Sequence, residues 1–141
     1  MFELAEQAER WVEVAGKDLS AASDADLYAA EKAYAKVRAA VDAGEGRVLA
    51  ELEARGACDR DFGMGTATWV AHTTHGDRRV VATRVNVATK LRGPLADTGE
   101  ALARGVITVD HARALSDAAN PRILDLIAAE QGEWIARAVR P

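Results

Sequence analysis

The sequence predicts an all-α protein: a long N-terminal helix or helical hairpin, followed by a multi-helix region containing a helix-turn-helix-like unit. Three observations predict it. Alanine is plentiful and aromatics are few, a composition that favours helix over sheet. Glycine and proline fall singly, where they read as helix stops. Apolar residues recur three, four and seven apart rather than in any longer run.

The first helix is predicted from Phe2 to about Val14, with Phe2, Ala5, Ala8 and Val12 along one side and glutamates crowding its first turns, where the helix dipole favours them. Gly16 ends it. The polar stretch "KDLSAASDAD" connects to a second helix, opened by Ser23 and Asp26 as a capping pair. From about Asp24 to Arg55, Leu27, Tyr34, Val41 and Val48 recur every seventh residue, an apolar seam along roughly 45 Å of helix that needs a partner. Gly44 and Gly46 predict a kink or a close helix crossing near "DAGEGR", with a break into two helices as the alternative. "RGACDRDFGMG" reads as a linker. It divides acidic N-terminal helices, residues 1 to 57, from a helix-turn-helix-like region, 58 to 141, within one domain overall.

Thr66 to Thr74 is a short helix anchored by Trp69 and Val70, and after a tight turn Asp77 caps a helix running to Leu91. Two helices joined by a glycine-containing turn are the elements of a helix-turn-helix. At about 100° per residue, Arg79, Thr83, Asn86 and Lys90 fall within about 40° of one line, with Val81, Val85, Ala88 and Leu91 opposite. Arginine and lysine reach phosphates or guanine edges, asparagine pairs with adenine, and threonine touches a phosphate or a thymine methyl. Arg78, Arg79, Thr83, Asn86 and Lys90 are therefore the candidate DNA-binding residues. A solvated surface helix would show the same stripe, and Arg84, toward the apolar side, is expected to snorkel or pair with a carboxylate.

Charge is distributed in keeping with this. The formal net charge is −4, and residues 1 to 57 hold twelve acidic against seven basic residues, whereas 76 to 92 holds five basic residues and one aspartate. A basic surface, if formed, is local.

Pro94 forces the chain out of helix, and "PLADTGEALARG" supplies another short one with Leu95 and Leu102 inward. Gly105 is placed to end it in a left-handed conformation. Thr108 caps a helix from Val109 to Ala119, with His111 in its first turn and Arg113 one position outward from Ala112, so "GVITVDHARAL" builds a corner between two helices. Gly105, Thr108, His111 and Arg113 form that structural motif. Asn120 and Pro121 start a last helix carrying Ile123, Leu124, Ile127, Trp134, Ile135 and Val139.

The segments "ELEARG", "TATWVAHTTHGDRRVVATRVNVATKL" and "ALARGVITVDHARAL" resemble, in order and spacing, the actinobacterial domain-of-unknown-function family 222, over about residues 25 to 120. Members are commonly followed by an HNH endonuclease module, and many are described as nuclease or repeat-family proteins of mobile-element character. A more distant likeness reaches the DNA-binding region of ParB-type partition proteins, with Gly105, Thr108, His111, Ala112 and Arg113 matching a run that follows its helix-turn-helix. The resemblance implies a DNA-binding or targeting module, double-stranded DNA as partner, and a nuclease module or subunit in trans. It also implies a truncated member, since the chain stops at Pro141 before any nuclease module. Family members usually carry glycine where this chain has His75.

Enzyme chemistry finds few candidates. His72 and His75 form an H-x-x-H pair without a third metal ligand. Cys58 beside Asp59 and Asp61 lacks a positioned base, and the G-M-G of residues 63 to 65 lacks the lysine of a phosphate loop. No enzyme activity, metal or cofactor is expected. The N-terminus lacks a secretory leader and no apolar run reaches about 18 residues, so a cytoplasmic protein without membrane contact is expected. The competing reading is a homodimer or protein-interaction module built on the 24 to 55 seam; an inactive mobile-element remnant is a third.

Overall fold

A computed structural model describes residues 3 to 141. Among the described residues the chain is all-helical, with eight helices: α1 (Leu4–Ala15), α2 (Asp24–Arg55), α3 (Ala57–Phe62), α4 (Thr66–Thr74), α5 (Arg78–Arg92), α6 (Ala96–Ala103), α7 (Val109–Ala118) and α8 (Leu124–Ala138). Phe2, expected at the start of α1, lies outside the described residues. No described helix is long and apolar enough to cross a membrane. The chain separates into two units, one up to Lys32 and one from Ala33 to Pro141.

In the first unit Gly16 ends α1 with its N–H shared between the carbonyls of Val12 and Glu13, both 3.2 Å away. Ser23 Oγ accepts from the N–H of Asp26 at 3.1 Å, satisfying one of the orphan amides that open α2. No residue of α1 is buried within the chain.

The second unit is organised on α2, which runs unbroken through both glycines. Its packed face is made of Ala39, Gly46, Leu49 and Ala50, and a Cβ added at Gly46 would sit 3.6 Å from Ala88 Cβ. The close crossing expected near Gly46 is therefore present; Gly44 faces open space. Val41 and Val48 lie about half a turn from the packed face, and are 57% and 54% exposed. The fold of the second unit thus uses the side of α2 opposite the heptad seam.

The expected linker at 55 to 65 is a helix instead. Gly56 (φ 59°) and Gly63 (φ 69°) both adopt the left-handed conformation that glycine tolerates, and between them α3 buries Cys58. Phe62 then stacks on Trp69 of α4, ring centroids 5.3 Å apart. Two glycines flanking six residues look the same in sequence whether they bracket a loop or one and a half turns of helix.

The core falls into three apolar clusters. Leu49 and Ala50 meet Val70 and Ala71 of α4 and Val81, Val85 and Ala88 of α5. Ala39 meets Ala101, Leu102, Ile107 and Ala112, seating α6 and α7 on α2. Leu95, Leu115, Ala119 and Ile127 join α6, α7 and α8. So many alanines at crossings allow short interhelical distances, which is where a composition poor in aromatics finds its packing.

The last helix starts later than expected. Asn120 Oδ1 accepts from the N–H of Arg122 at 3.0 Å and its carbonyl accepts from Ile123 at 3.1 Å, so a turn consumes residues 120 to 123 and α8 begins at Leu124. Of its apolar residues only Ile127 is buried, while Trp134 remains 45% exposed.

Candidate nucleic-acid interface

The helix-turn-helix-like unit is built by α4 and α5. His75, the residue after α4, takes φ 56°, and the N–H of Gly76 reaches back to the Ala71 carbonyl at 2.9 Å, closing the helix as a Schellman turn. The left-handed residue is thus His75, and a histidine held there costs about 1 kcal/mol. His75→Gly is expected to raise stability by about 0.5 kcal/mol, because relief of that strain exceeds the added freedom of the unfolded chain. Thermal or urea unfolding of the two proteins measures it.

One turn on, Asp77 Oδ1 accepts from the N–H groups of Arg79 (2.8 Å) and Val80 (3.2 Å), capping α5 as its sequence suggests. Val81, Val85 and Ala88 are buried as expected. Val87 is buried as well, which the wheel did not foresee, because α7 packs beside α5 and covers that flank.

The cations of α5 divide into two groups. Toward its C-terminus they are used within the fold: Lys90 Nζ donates to the Ser116 carbonyl at 2.7 Å, at the negative end of α7, and Arg92 pairs with Glu51 at 2.7 Å. Arg84 pairs with Glu45 at 2.6 Å, the carboxylate partner its position called for. Arg55, then Arg92, hold the Glu51 carboxyl below its ordinary value. Toward the N-terminus the cations face outward. Arg78 Nε donates only to the Thr68 hydroxyl at 3.0 Å, and the exposed Arg79 makes no ion pair among the described residues. Thr83 is half-buried, its hydroxyl donating to the Arg79 carbonyl at 3.0 Å, and Asn86 is exposed.

The corner motif folds as a cap and a close approach. Gly105 takes φ 71° and lies against Lys36 of α2. Thr108 Oγ1 accepts from the His111 N–H at 3.4 Å, while His111 Nδ1 accepts from the Thr108 N–H at 3.2 Å, a reciprocal capping box in which histidine takes the usual place of glutamate. With Nδ1 as acceptor, the ring proton of the neutral imidazole sits on Nε2. Ile107 and Ala112, both buried, fasten the corner to the core.

Its sequence neighbours mark Arg113 as part of that corner only. It lines a groove of about 340 Å³ between α2, α5 and the start of α7, together with Arg79 and Thr83. No local pattern could have placed it there, since the α5 to α7 packing that makes the groove is tertiary. Acidic groups share the groove: Asp110 on α7, and Asp42 on α2, whose carboxyl burial and neighbouring Glu45 push above its ordinary value.

Other candidates stay apart. His72 and His75 are exposed, Cys58 is buried away from Asp59 and Asp61, which are exposed, and among the described residues no three His, Cys, Asp or Glu side chains are grouped to hold a metal ion. Comparison with family models, with curated proteins and with solved structures gives no match.

Proposed function

We propose that the second unit binds double-stranded DNA through the first half of α5, and serves as a DNA-binding or targeting module whose nuclease chemistry, if any, comes from another module or subunit. The observation that carries this reading is the division of cations along α5. Those left facing solvent, Arg78 and Arg79, sit in the first turn, the part of a recognition helix that contacts base edges, with Thr83 and Asn86 further along the same stripe. The cations beyond the first turn, Arg84, Lys90 and Arg92, neutralise α2 glutamates or hold α7, so they support the helix's position. In this reading Lys90 acts through α7.

Fluorescence anisotropy of a labelled duplex over a salt series tests it. Affinity is expected to fall with log salt at a slope of about −2 to −4, and Arg79→Ala to remove about one unit of that slope. Absence of binding at low salt would reject the proposal.

A second reading, self-association through α2, is favoured by one observation: Val41 and Val48, exposed on the side of α2 away from the core, present two apolar side chains two turns apart. A concentration-dependent mass in sedimentation equilibrium, abolished by Val41→Glu with Val48→Glu, is the expected result. A monomer at all concentrations would dismiss it. A dimer would also pair two DNA-reading helices.

A further inference from the structure

We propose that Arg113 of α7 and Arg79 of α5 form a two-sided clamp on a DNA backbone phosphate at the mouth of the groove between the two helices. The inference rests on the DNA-binding reading above and adds to it a contact from outside the helix-turn-helix.

Both arginines line the same groove, one from α5 and one from α7. Neither is committed elsewhere. Arg79 has no ion pair among the described residues, and Arg113 has only Asp117, at 3.9 Å and with both side chains about 60% exposed, a contact too long and too wet to hold it. The third guanidinium of the groove, Arg84, is fixed on Glu45 and offsets its charge.

The wall that carries Arg113 is held rigidly. Its helix is capped by Thr108 and His111, braced by the ammonium of Lys90 at its far end, and pinned to α2 where Gly105 meets Lys36. A backbone fixed in this way sets where the fork can reach, and two forks lining one groove match the several oxygens of a phosphodiester. Val87 and Leu91 also line the groove, and the hydroxyl of its Thr83 is already spent on the Arg79 carbonyl, which leaves the arginines as its unspent donors. A phosphate is drawn here by the two uncommitted guanidiniums, against two carboxylates of the same lining.

Asp110 and Asp42 face the same groove and oppose an anion. They supply a test of sign that a purely structural Arg113 would fail. If the groove receives phosphate, Asp110→Asn raises DNA affinity; if it does not, the change is silent.

The experiment is duplex anisotropy across a salt series for the full chain, with Arg79→Ala, Arg113→Ala, Arg113→Gln, Arg113→Lys, Asp110→Asn and the double variant Arg79→Ala with Arg113→Ala. Unfolding midpoints of the free proteins run alongside. Expected are a loss of about five- to tenfold in affinity and about one unit of salt slope for Arg113→Ala and for Arg113→Gln, at unchanged midpoint, with slope retained in Arg113→Lys. The double variant should lose less than the product of the single losses, because the two side chains share one phosphate. If Arg79→Ala weakens binding and both neutral variants at Arg113 do not, the clamp is refuted and DNA binding by α5 stands. If the wild-type protein does not bind the duplex, both fall.

Discussion

Gly105→Ala is expected to destabilise the second unit by about 2–3 kcal/mol, lowering the unfolding midpoint by roughly 8 °C or more. Two separate effects add. At φ 71° an L-residue meets the penalty of the left-handed region, about 1–2 kcal/mol, of which the stiffer unfolded chain returns less than one. The second effect is steric. A Cβ at Gly105 would lie 2.7 Å from Lys36 Cγ and 3.4 Å from Lys36 Cα, so the Lys36 side chain must turn away or α2 and the corner must part slightly for it to fit. Lys36 can be truncated to isolate this part. In a Lys36→Ala background the nearest atom is gone and the remaining ones stand at 3.4 Å, so Gly105→Ala should cost about 1 kcal/mol less there. An equal loss in both backgrounds would assign the whole effect to backbone strain; no loss in either would refute both causes. The same substitution should weaken duplex binding, because the corner carries Arg113.

Much of the fold is legible locally, and the reasons are visible in particular residues. Ser23, Asp77 and Thr108 were read as caps because a short oxygen-bearing side chain ahead of an apolar run has few other uses, and each accepts the bond expected of it. Leu95 and Leu102 were placed inward and are fully buried. What local pattern misread was partnership. The heptad of α2 stands out in its sequence, yet the core of the second unit uses Ala39, Gly46, Leu49 and Ala50 on the other side, three of them small residues whose contribution is closeness rather than hydrophobic bulk. A wheel ranks faces by hydropathy and so cannot see that face.

The candidate site shows the same divide. Arg79, Thr83 and Asn86 are candidates that the α5 wheel alone proposes, and Arg84, toward the apolar side of that wheel, has the carboxylate partner expected there. Lys90 was grouped with the stripe on angle, and only the position of Ser116 in α7 reveals where its charge goes. Arg113 was assigned to the corner because its neighbours in sequence make the corner. Its neighbours in space are those of α5, and helix packing alone determines that.

Gln131 is the second position where a large effect is expected, and nothing in the sequence marks it. It is the one polar residue of α8 that is buried, 6% exposed among apolar neighbours that are mostly more exposed. Its Oε1 accepts from both the N–H and the hydroxyl of Thr98, at 3.0 and 2.9 Å, and its Nε2 donates to the carbonyls of Pro94 and Ala128, at 3.0 and 2.9 Å. Thr98 lies in the first turn of α6, whose N-cap, Leu95, has no side chain that accepts. The amide of α6 that needs a partner therefore finds it on α8, and Gln131 acts as a cap supplied from another helix. Gln131→Ala leaves the fully buried Thr98 N–H and hydroxyl without their acceptor, at an expected cost of about 3 kcal/mol. Gln131→Glu should be worse near neutral pH, since it keeps the acceptor, loses the donor and buries a charge. Burial holds the introduced carboxyl above its unfolded value, so the proton is bound more tightly in the folded state. Stability of that variant is therefore greatest below the unfolded value and declines as pH rises through the folded one. The deficit of Gln131→Glu relative to wild type should narrow on acidification, while that of Gln131→Ala should not. Hydrogen exchange at the Thr98 amide locates the effect: Gln131→Ala should release that amide first, and continued protection there would mean that α6 is capped by something other than α8.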